Sequence, residues 1–238
     1  MSASSPEAQA IERTRERIAV ACRACGRDPR EVTLLAVSKG HPGERLRAAH
    51  AAGQRAFGEN YAQECVRKIG ELADLADIEW HFIGPLQSNK TRLIAESVAW
   101  VHSIDRLSIA ERLSVQRPNH REPLQVCVQV NVSGERSKSG AAPEHAIDLV
   151  EAIARCHRLS LRGLMALPEA TTDRVAVRAQ FRLLRSLFDA VRERHPDWTR
   201  WDTLSMGMSA DLEDAIAEGS TLVRLGTAIF GARPARGH

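Results

Sequence analysis

Of the chain's 33 basic residues, four are lysines: Lys39, Lys68, Lys90 and Lys138. Arginine keeps its charge at any ordinary pH, so these four carry the side-chain amines that can become neutral nucleophiles. Lys39 ends the apolar run LLAVSK. Emerging from apolar surroundings, its ammonium form is disfavoured and its pKa falls. A neutral amine at that position can attack a carbonyl and form a Schiff base. The plainer alternative, a strand-end lysine reaching out to water, stays open.

Two stretches near the end of the chain fit an anionic group: SMGMS (Ser205–Ser209) and RLGTAIFG (Arg224–Gly231). Glycines such as Gly226 let a backbone approach a phosphate, and the hydroxyls of Ser209 and Thr227 can donate to it. Each feature also has a purely structural reading. Ser209 precedes Asp211 and Glu213 and can serve as a helix N-cap. Gly226 and Thr227 can form a tight turn. Arg224 alternates with apolar neighbours in LVRLG, so it points inward and needs a partner; a surface-facing or salt-bridged arginine is the alternative.

Other candidates carry less. His81 and His102 near strand ends are expected to be satisfied structural residues, and Trp80 and Trp100 core or barrel-wall residues. Cys22-x-x-Cys25 has no second CxxC and falls in a helical pattern, which argues against a metal or redox site. The arginines of Arg174–Arg194 read as the polar face of an amphipathic helix. Zinc, calcium, P-loop and serine-triad spacings are missing from the sequence.

The elements that must position these residues alternate between short β-rich runs and longer helical patterns. Strands are expected at Val32–Ser38, Arg55–Phe57, Ile78–Ile83, Val98–Val101, Leu124–Asn131, Leu161–Met165, Asp202–Leu204 and Leu222–Leu225. Helical spacing is clearest over Val175–Val191. Eight strand–helix units in 238 residues predict an α/β fold, a closed (β/α)8 TIM-type barrel, with a doubly wound open sheet as runner-up. Few residues follow the eighth strand, and an additional N-terminal helix at Glu7–Cys25 is expected to take the place of the missing closing helix. Active groups on such a barrel follow the strands, which puts Lys39, FGEN (Phe57–Asn60), HSID (His102–Asp105), LMALPE (Leu164–Glu169) and the two terminal stretches at one rim.

Composition narrows the classes further. Apolar residues make up 43% and charged residues 26%, which excludes disorder and fibrous repeats. Without an evident linker or repeat, residues 1–238 read as a single domain. A net charge of +3 is too small to suggest nucleic acid. The longest run lacking charge, Pro123–Gly134, is too short to cross a membrane. The opening MSASSPEAQAIERTRERI has no basic-then-apolar signal pattern, and five cysteines suit a reducing compartment, so a cytoplasmic protein is expected.

Taken together, AVSKGHP, FGENYAQE, WHFIGPLQSNK, HSIDRL, QVNVSGERSKSG, LRGLMALPE and LSMGMSADLEDAIAEGSTLVRLGTAIFGAR resemble the pyridoxal-phosphate homeostasis proteins. These in turn resemble the barrel domain of alanine racemase without its second, β-rich domain. The likeness runs from about the first strand to Arg233. It implies pyridoxal 5′-phosphate (PLP) held as a Schiff base on Lys39. Ser209, Gly226 and Thr227 would cradle the phosphate, Ser205 and Asn60 would line the site, and Arg224 would face the pyridine nitrogen. It also implies a mobile SKSG segment (Ser137–Gly140) over the mouth, with Lys138 near the ligand. Two departures stand out. Pro85 replaces a common histidine, and Gly40–His41 replaces the usual Thr-Lys.

The resemblance implies a non-catalytic protein of PLP homeostasis, its partners being PLP and the PLP-dependent apoenzymes that receive it, and its state a monomer or weak homodimer. A PLP-dependent amino-acid racemase and a Schiff-base aldolase barrel are the rivals. Racemisation needs a base on each face of the substrate, and the chain ends at His238, directly after the barrel. On this reading the second base is missing. An arginine at the pyridine nitrogen also weakens the ring as an electron sink.

Overall fold

A computed structural model of the chain places a strand in each of the eight β-rich runs. It describes residues 5–135, 138–169 and 171–232. The strands are β1 (Thr33–Val37), β2 (Ala56–Glu59), β3 (Glu79–Phe82), β4 (Trp100–Ile104), β5 (Leu124–Val130), β6 (Leu159–Ala166), β7 (Thr203–Ser205) and β8 (Leu222–Leu225). Every neighbouring pair is parallel, and β8 pairs with β1 from Thr33 opposite Leu222 to Ala36 opposite Leu225. The sheet therefore closes into the expected (β/α)8 barrel, and the open-sheet alternative falls.

The helices are α1 (Pro6–Ala24), α2 (Gly43–Ala51), α3 (Ala62–Glu71), α4 (Thr91–Ser97), α5 (Leu107–Gln116), α6 (Pro143–Ala154), α7 (Arg174–Arg194), α8 (Leu212–Ala217) and α9 (Thr227–Phe230). Ser5 caps α1 by accepting from Ala8 N–H (3.1 Å), with Pro6 in the first turn. That helix packs against α2, α8 and α9, which is the place a longer closing helix would fill. Helix α7 buries Val177, Phe181, Leu184, Phe188 and Val191. Its arginines pair with acids, Arg174 with Asp214 and Arg178 with Glu218, as an ion-paired outer face should. Cys22 is buried under α1 while Cys25 is exposed at its end, so the two thiols meet different surroundings.

Side chains on the strands' outer faces, among them Phe57, Phe82, Val101, Val126, Leu164 and Val223, join the helices in one large apolar core. The barrel interior is different. Two small apolar clusters, Leu35–Val37–Ala56–Ile83–Leu222 and Trp100–Cys127–Met165, lie there apart from the main core. Buried beside them are His81, His102, Ser205 and Arg224. Several strands also run further than their sequence suggests. β2 extends to Glu59, β4 to Ile104 and β6 to Ala166, so Phe57–Glu59, His102–Ile104 and Leu164–Ala166 belong to strands and not to the rim loops. His102 and Ser103 are polar, yet they extend β4 because partners wait for both inside the fold.

One irregularity fixes the register around β6. Between Val126–Leu161 and Cys127–Gly163 the pairing skips Arg162. Gly163 then presses on β7, and a Cβ there would stand 1.8 Å from the Thr203 carbonyl oxygen. Replacing Gly163 by alanine must push the two strands apart. Overpacking of this kind costs about 1–3 kcal/mol and sometimes more. A urea melt of Gly163→Ala should show at least that loss, and an unchanged midpoint would contradict the packing described.

Candidate functional site

A cleft of about 590 Å³ opens where β1 and β8 end. Lys39, Asn60, Ser209, Arg224, Gly226 and Thr227 all line it, so six of the seven residues singled out in the sequence converge. The seventh, Ser205, does not line the cleft. It lies fully buried on β7 beneath Arg224 and accepts from that guanidinium through its hydroxyl (2.7 Å) and its carbonyl (2.5 Å). The remaining walls include Val37, Ile83, Leu167, Met208 and His41.

Lys39 sits on a tight turn held from several sides. His41 N–H donates to the Ser38 carbonyl (3.1 Å), and Gly40 takes φ +77°, the left-handed backbone that glycine accepts at little cost. Behind this turn lies an ammonium with no solvent exposure, that of Lys68 on α3. Its Nζ donates to the Ser38 carbonyl (2.7 Å) and to Glu59 Oε1 (2.6 Å), and pairs with Glu64 Oε1 (2.7 Å). The two carboxylates complete the clamp, for Glu59 accepts from Ser38 Oγ–H (2.6 Å) and Glu64 from Gly40 N–H (2.6 Å). The backbone on both sides of Lys39 is thus tied to one buried ion cluster. Burial pushes the Glu59 carboxyl up, against the pull of Lys68. At Glu64 burial acts the same way, but the hydrogen bonds from Lys68 and Gly40 prevail and hold that carboxyl below its usual range. Sequence reasoning missed this cluster. The Glu64–Lys68 spacing of four residues on one helix was the available signal.

Arg224 points into the barrel, as its alternation predicted, and is buried. The partners it needs are a hydroxyl and the carbonyls of Ser205 and Ala166 (2.8 Å to the latter), so oxygen acceptors take the place of the salt bridge that was the alternative. Burial pulls its pKa down to about 10, against the opposing charge of Asp211, and it remains a cation at neutral pH.

At the other end of the cleft, Gly226 runs close to β1, where a Cβ would stand 3.1 Å from the Val37 carbonyl oxygen. Ser209 is not a helix N-cap. Asp211 holds that position on α8 and accepts from Met208 N–H (2.5 Å), which leaves Ser209 in the loop on the cleft wall. Asn60 is placed by Gly84, whose missing side chain lets the two backbones meet; a Cβ there would lie 2.1 Å from the Asn60 carbonyl oxygen. Asn60 Oδ1 is buried and accepts no hydrogen bond from the chain's described residues. Of the two sequence departures, Pro85 is exposed, whereas His41 lines the cleft with its ring against Phe230 (5.2 Å). Lys138 does not line the cleft; it pairs with Glu135 (2.8 Å), while Ser137 lies outside the described residues.

The inventory suits a phosphorylated aromatic aldehyde. It combines an amine, a buried cationic donor, glycine and hydroxyl donors, an unsatisfied buried acceptor and apolar walls. Comparison with known proteins points the same way. The sequence pattern of the alanine racemase N-terminal domain matches residues 11–234. The pyridoxal phosphate homeostasis protein of Pseudomonas aeruginosa is 58% identical over 226 residues, covering 95% of each chain. The chain belongs to the pyridoxal phosphate homeostasis protein family. Another member, from Escherichia coli, is 51% identical over 94% of this chain and 95% of its own. PipY of Synechococcus elongatus, solved with PLP bound, is 36% identical with a TM-score of 0.78, covering 90% of this chain and all of its own.

Lys68→Met leaves Glu59 and Glu64 without their cation. Breaking a buried ion pair costs about 3–5 kcal/mol. Urea denaturation should register a loss of that size, partly recovered in Lys68→Met/Glu59→Gln. A loss below about 1 kcal/mol would mean that water reaches the cluster.

Proposed function

We propose that this member of the family binds PLP through a Schiff base on Lys39 and serves PLP homeostasis, storing the cofactor and passing it to apoenzymes. The barrel, residues 1–238, acts as one domain. The observation that carries this reading is the convergence of Lys39, Arg224, Ser209, Gly226 and Thr227 on one cleft. The homeostasis name of the close relatives and the PLP-bound PipY structure support it. When bound, PLP supplies an aldehyde for the amine and a ring that can accept electrons. Lys39 would hold the aldehyde carbon, and Ser209, Thr227 and the Gly226 backbone would hold the phosphate. Asn60 would line the site, and Ser205 supports Arg224 from below.

The same site argues against racemase chemistry. Arg224 stays cationic, so a hydrogen bond from it to the pyridine nitrogen would not protonate that nitrogen, and electron withdrawal by the ring would be weakened. The neighbouring His41 comes from the same turn as Lys39, not from the opposite wall. The deciding experiment incubates the loaded protein with L-alanine and other amino acids in deuterium oxide and follows the α-proton. A flat signal, with reactivation of an added PLP-dependent apoenzyme, is expected. Exchange that scales with protein concentration and vanishes in Lys39→Ala would make the protein an enzyme.

Two further outcomes follow from the assignments. Lys39→Ala should fold normally and lose the imine absorbance, and borohydride reduction with peptide mapping should find the cofactor on Lys39. Labelling chiefly at Lys68, Lys90 or Lys138 would overturn the assignment. Ser209→Ala and Thr227→Ala should each remove a charge-assisted hydrogen bond worth roughly 1.5–3 kcal/mol, weakening PLP binding by about tenfold to a hundredfold. Binding of unphosphorylated pyridoxal should barely change. Equal losses for both compounds would show that these hydroxyls support the fold and do not read the phosphate.

A further inference from the structure

A continuous series of hydrogen bonds runs down the barrel interior from Arg224 to the opposite face. Arg224 Nη1 lies 2.7 Å from Ser205 Oγ, which is 2.8 Å from His102 Nδ1. His102 Nε2 lies 2.9 Å from His81 Nδ1, and His81 Nε2 is 2.8 Å from Glu79 Oε1. Glu79 and His81 border a second cavity, of about 250 Å³, at the other end of the barrel. His81, His102, Ser205 and Arg224 are all buried, and the Glu79 side chain is 45% exposed.

Both ends of this series fix its direction. The Glu79 carboxylate can only accept, so His81 Nε2 carries the hydrogen. In a neutral ring the other nitrogen then accepts, which makes His102 Nε2 the donor between the rings and His102 Nδ1 an acceptor. Ser205 must give its hydroxyl hydrogen to that nitrogen, and its lone pairs are left for the Arg224 guanidinium. We propose that Glu79 is a positioning residue for Arg224, acting through a one-way relay of Nε2–H histidine tautomers that commits the Ser205 hydroxyl as an acceptor toward the cofactor site.

The surroundings keep the rings neutral. Burial holds His81 below the ordinary histidine range, against the pull of Glu79, and holds His102 well below it, with the charge of Arg224 acting the same way. Around the pair, Trp100 stacks on His81 at 5.2 Å and the Arg162 guanidinium lies over that indole at 4.7 Å. Asp202 and Glu31 share the cavity wall, but Asp202 is paired with Arg162 (2.6 Å), and the carboxylate hydrogen-bonded to His81 is that of Glu79. The Glu79 carboxyl is itself held below its usual range by the hydrogen bond from His81, so the acceptor at the foot of the relay is charged at neutral pH.

The inference rests on the reading that Arg224 faces the cofactor, but its first test needs no cofactor. Long-range proton–nitrogen spectra of ¹⁵N-histidine-labelled apoprotein, assigned with His81→Asn and His102→Asn, should show both rings neutral and protonated at Nε2 at pH 7. Protonation of either ring at Nδ1, or on both nitrogens, would overturn the relay whatever the protein binds. In Glu79→Leu both rings should become mixtures of tautomers. PLP affinity should fall at least threefold, and the absorbance maximum of the bound cofactor should move, while Glu79→Asp restores both. Unaltered tautomers and spectrum in Glu79→Leu would also overturn it. If the wild-type tautomers are as stated but no imine forms, the relay stands and the cofactor assignment fails. If Glu79→Leu does not fold, the wild-type spectra still decide.

Discussion

The ammonium of Lys68 is the interaction on which the site's geometry depends. Its three N–H bonds meet the Ser38 carbonyl and the carboxylates of Glu59 and Glu64, so its donors are all satisfied without water. Taking one cation and two carboxylates out of water is expensive, and similar-sized apolar residues often give equal or better stability. What the cluster contributes is direction. Ser38 and Gly40, the residues on either side of Lys39, are each bound to it, and Ser38 N–H is held separately by the Gly58 carbonyl on β2 (3.0 Å). Lys39 therefore leaves the first strand along a path set by α3 and β2, elements whose own packing is apolar and firm.

The interior of the barrel makes a second departure from an economical core. Barrels of this type commonly fill their centres with layers of bulky branched side chains. Here Leu35, Val37 and Ile83 occupy one flank and Trp100, Cys127 and Met165 the other, and between them stand two histidines, a serine and an arginine. Apolar stabilisation is thereby shifted outward, to the layer between strands and helices, where most of the buried hydrophobic residues lie. A polar column inside a low-dielectric shell is tolerable only if its members satisfy one another, and the unbroken series from Arg224 to Glu79 meets that condition.

These two departures explain what the sequence reveals and what it hides. Strand runs such as VTLLAVS and LQVCVQVN declare themselves through continuous apolar character, because their outer faces meet helices and their inner faces a mostly apolar centre. Rim residues such as Lys39, Ser209 and Thr227 are legible because they follow those runs directly. His102 was harder to place. A polar residue at the end of an apolar run reads as the start of a loop, and only its bonds to His81 and Ser205 keep it in β4. Ser205 likewise ends β7 because its hydroxyl and carbonyl meet Arg224, which sets it below the cleft wall. Lys68 was hard to recognise as a site residue, since a Glu64–Lys68 spacing of four reads as an ordinary surface pair, and its burial depends on Glu59 arriving from another element.

Arg224 connects the two devices through the cofactor site. A guanidinium in water is barely distinguishable from any other fixed cation. Deep in a barrel, its pKa drawn down to about 10 and its charge met by two carbonyls and a hydroxyl, it is held in a single orientation. On the proposed reading that orientation separates this chain's chemistry from that of PLP-dependent catalysts. A donor that cannot give up its proton leaves the pyridine ring neutral, and a neutral ring stabilises a carbanion poorly. Lys39 would then hold the aldehyde reversibly while the ring does little to labilise the α-proton of a passing amino acid. On that reading, storage without turnover would follow from the identity and rigidity of the group facing the pyridine nitrogen, not from any weakness in how the cofactor is held.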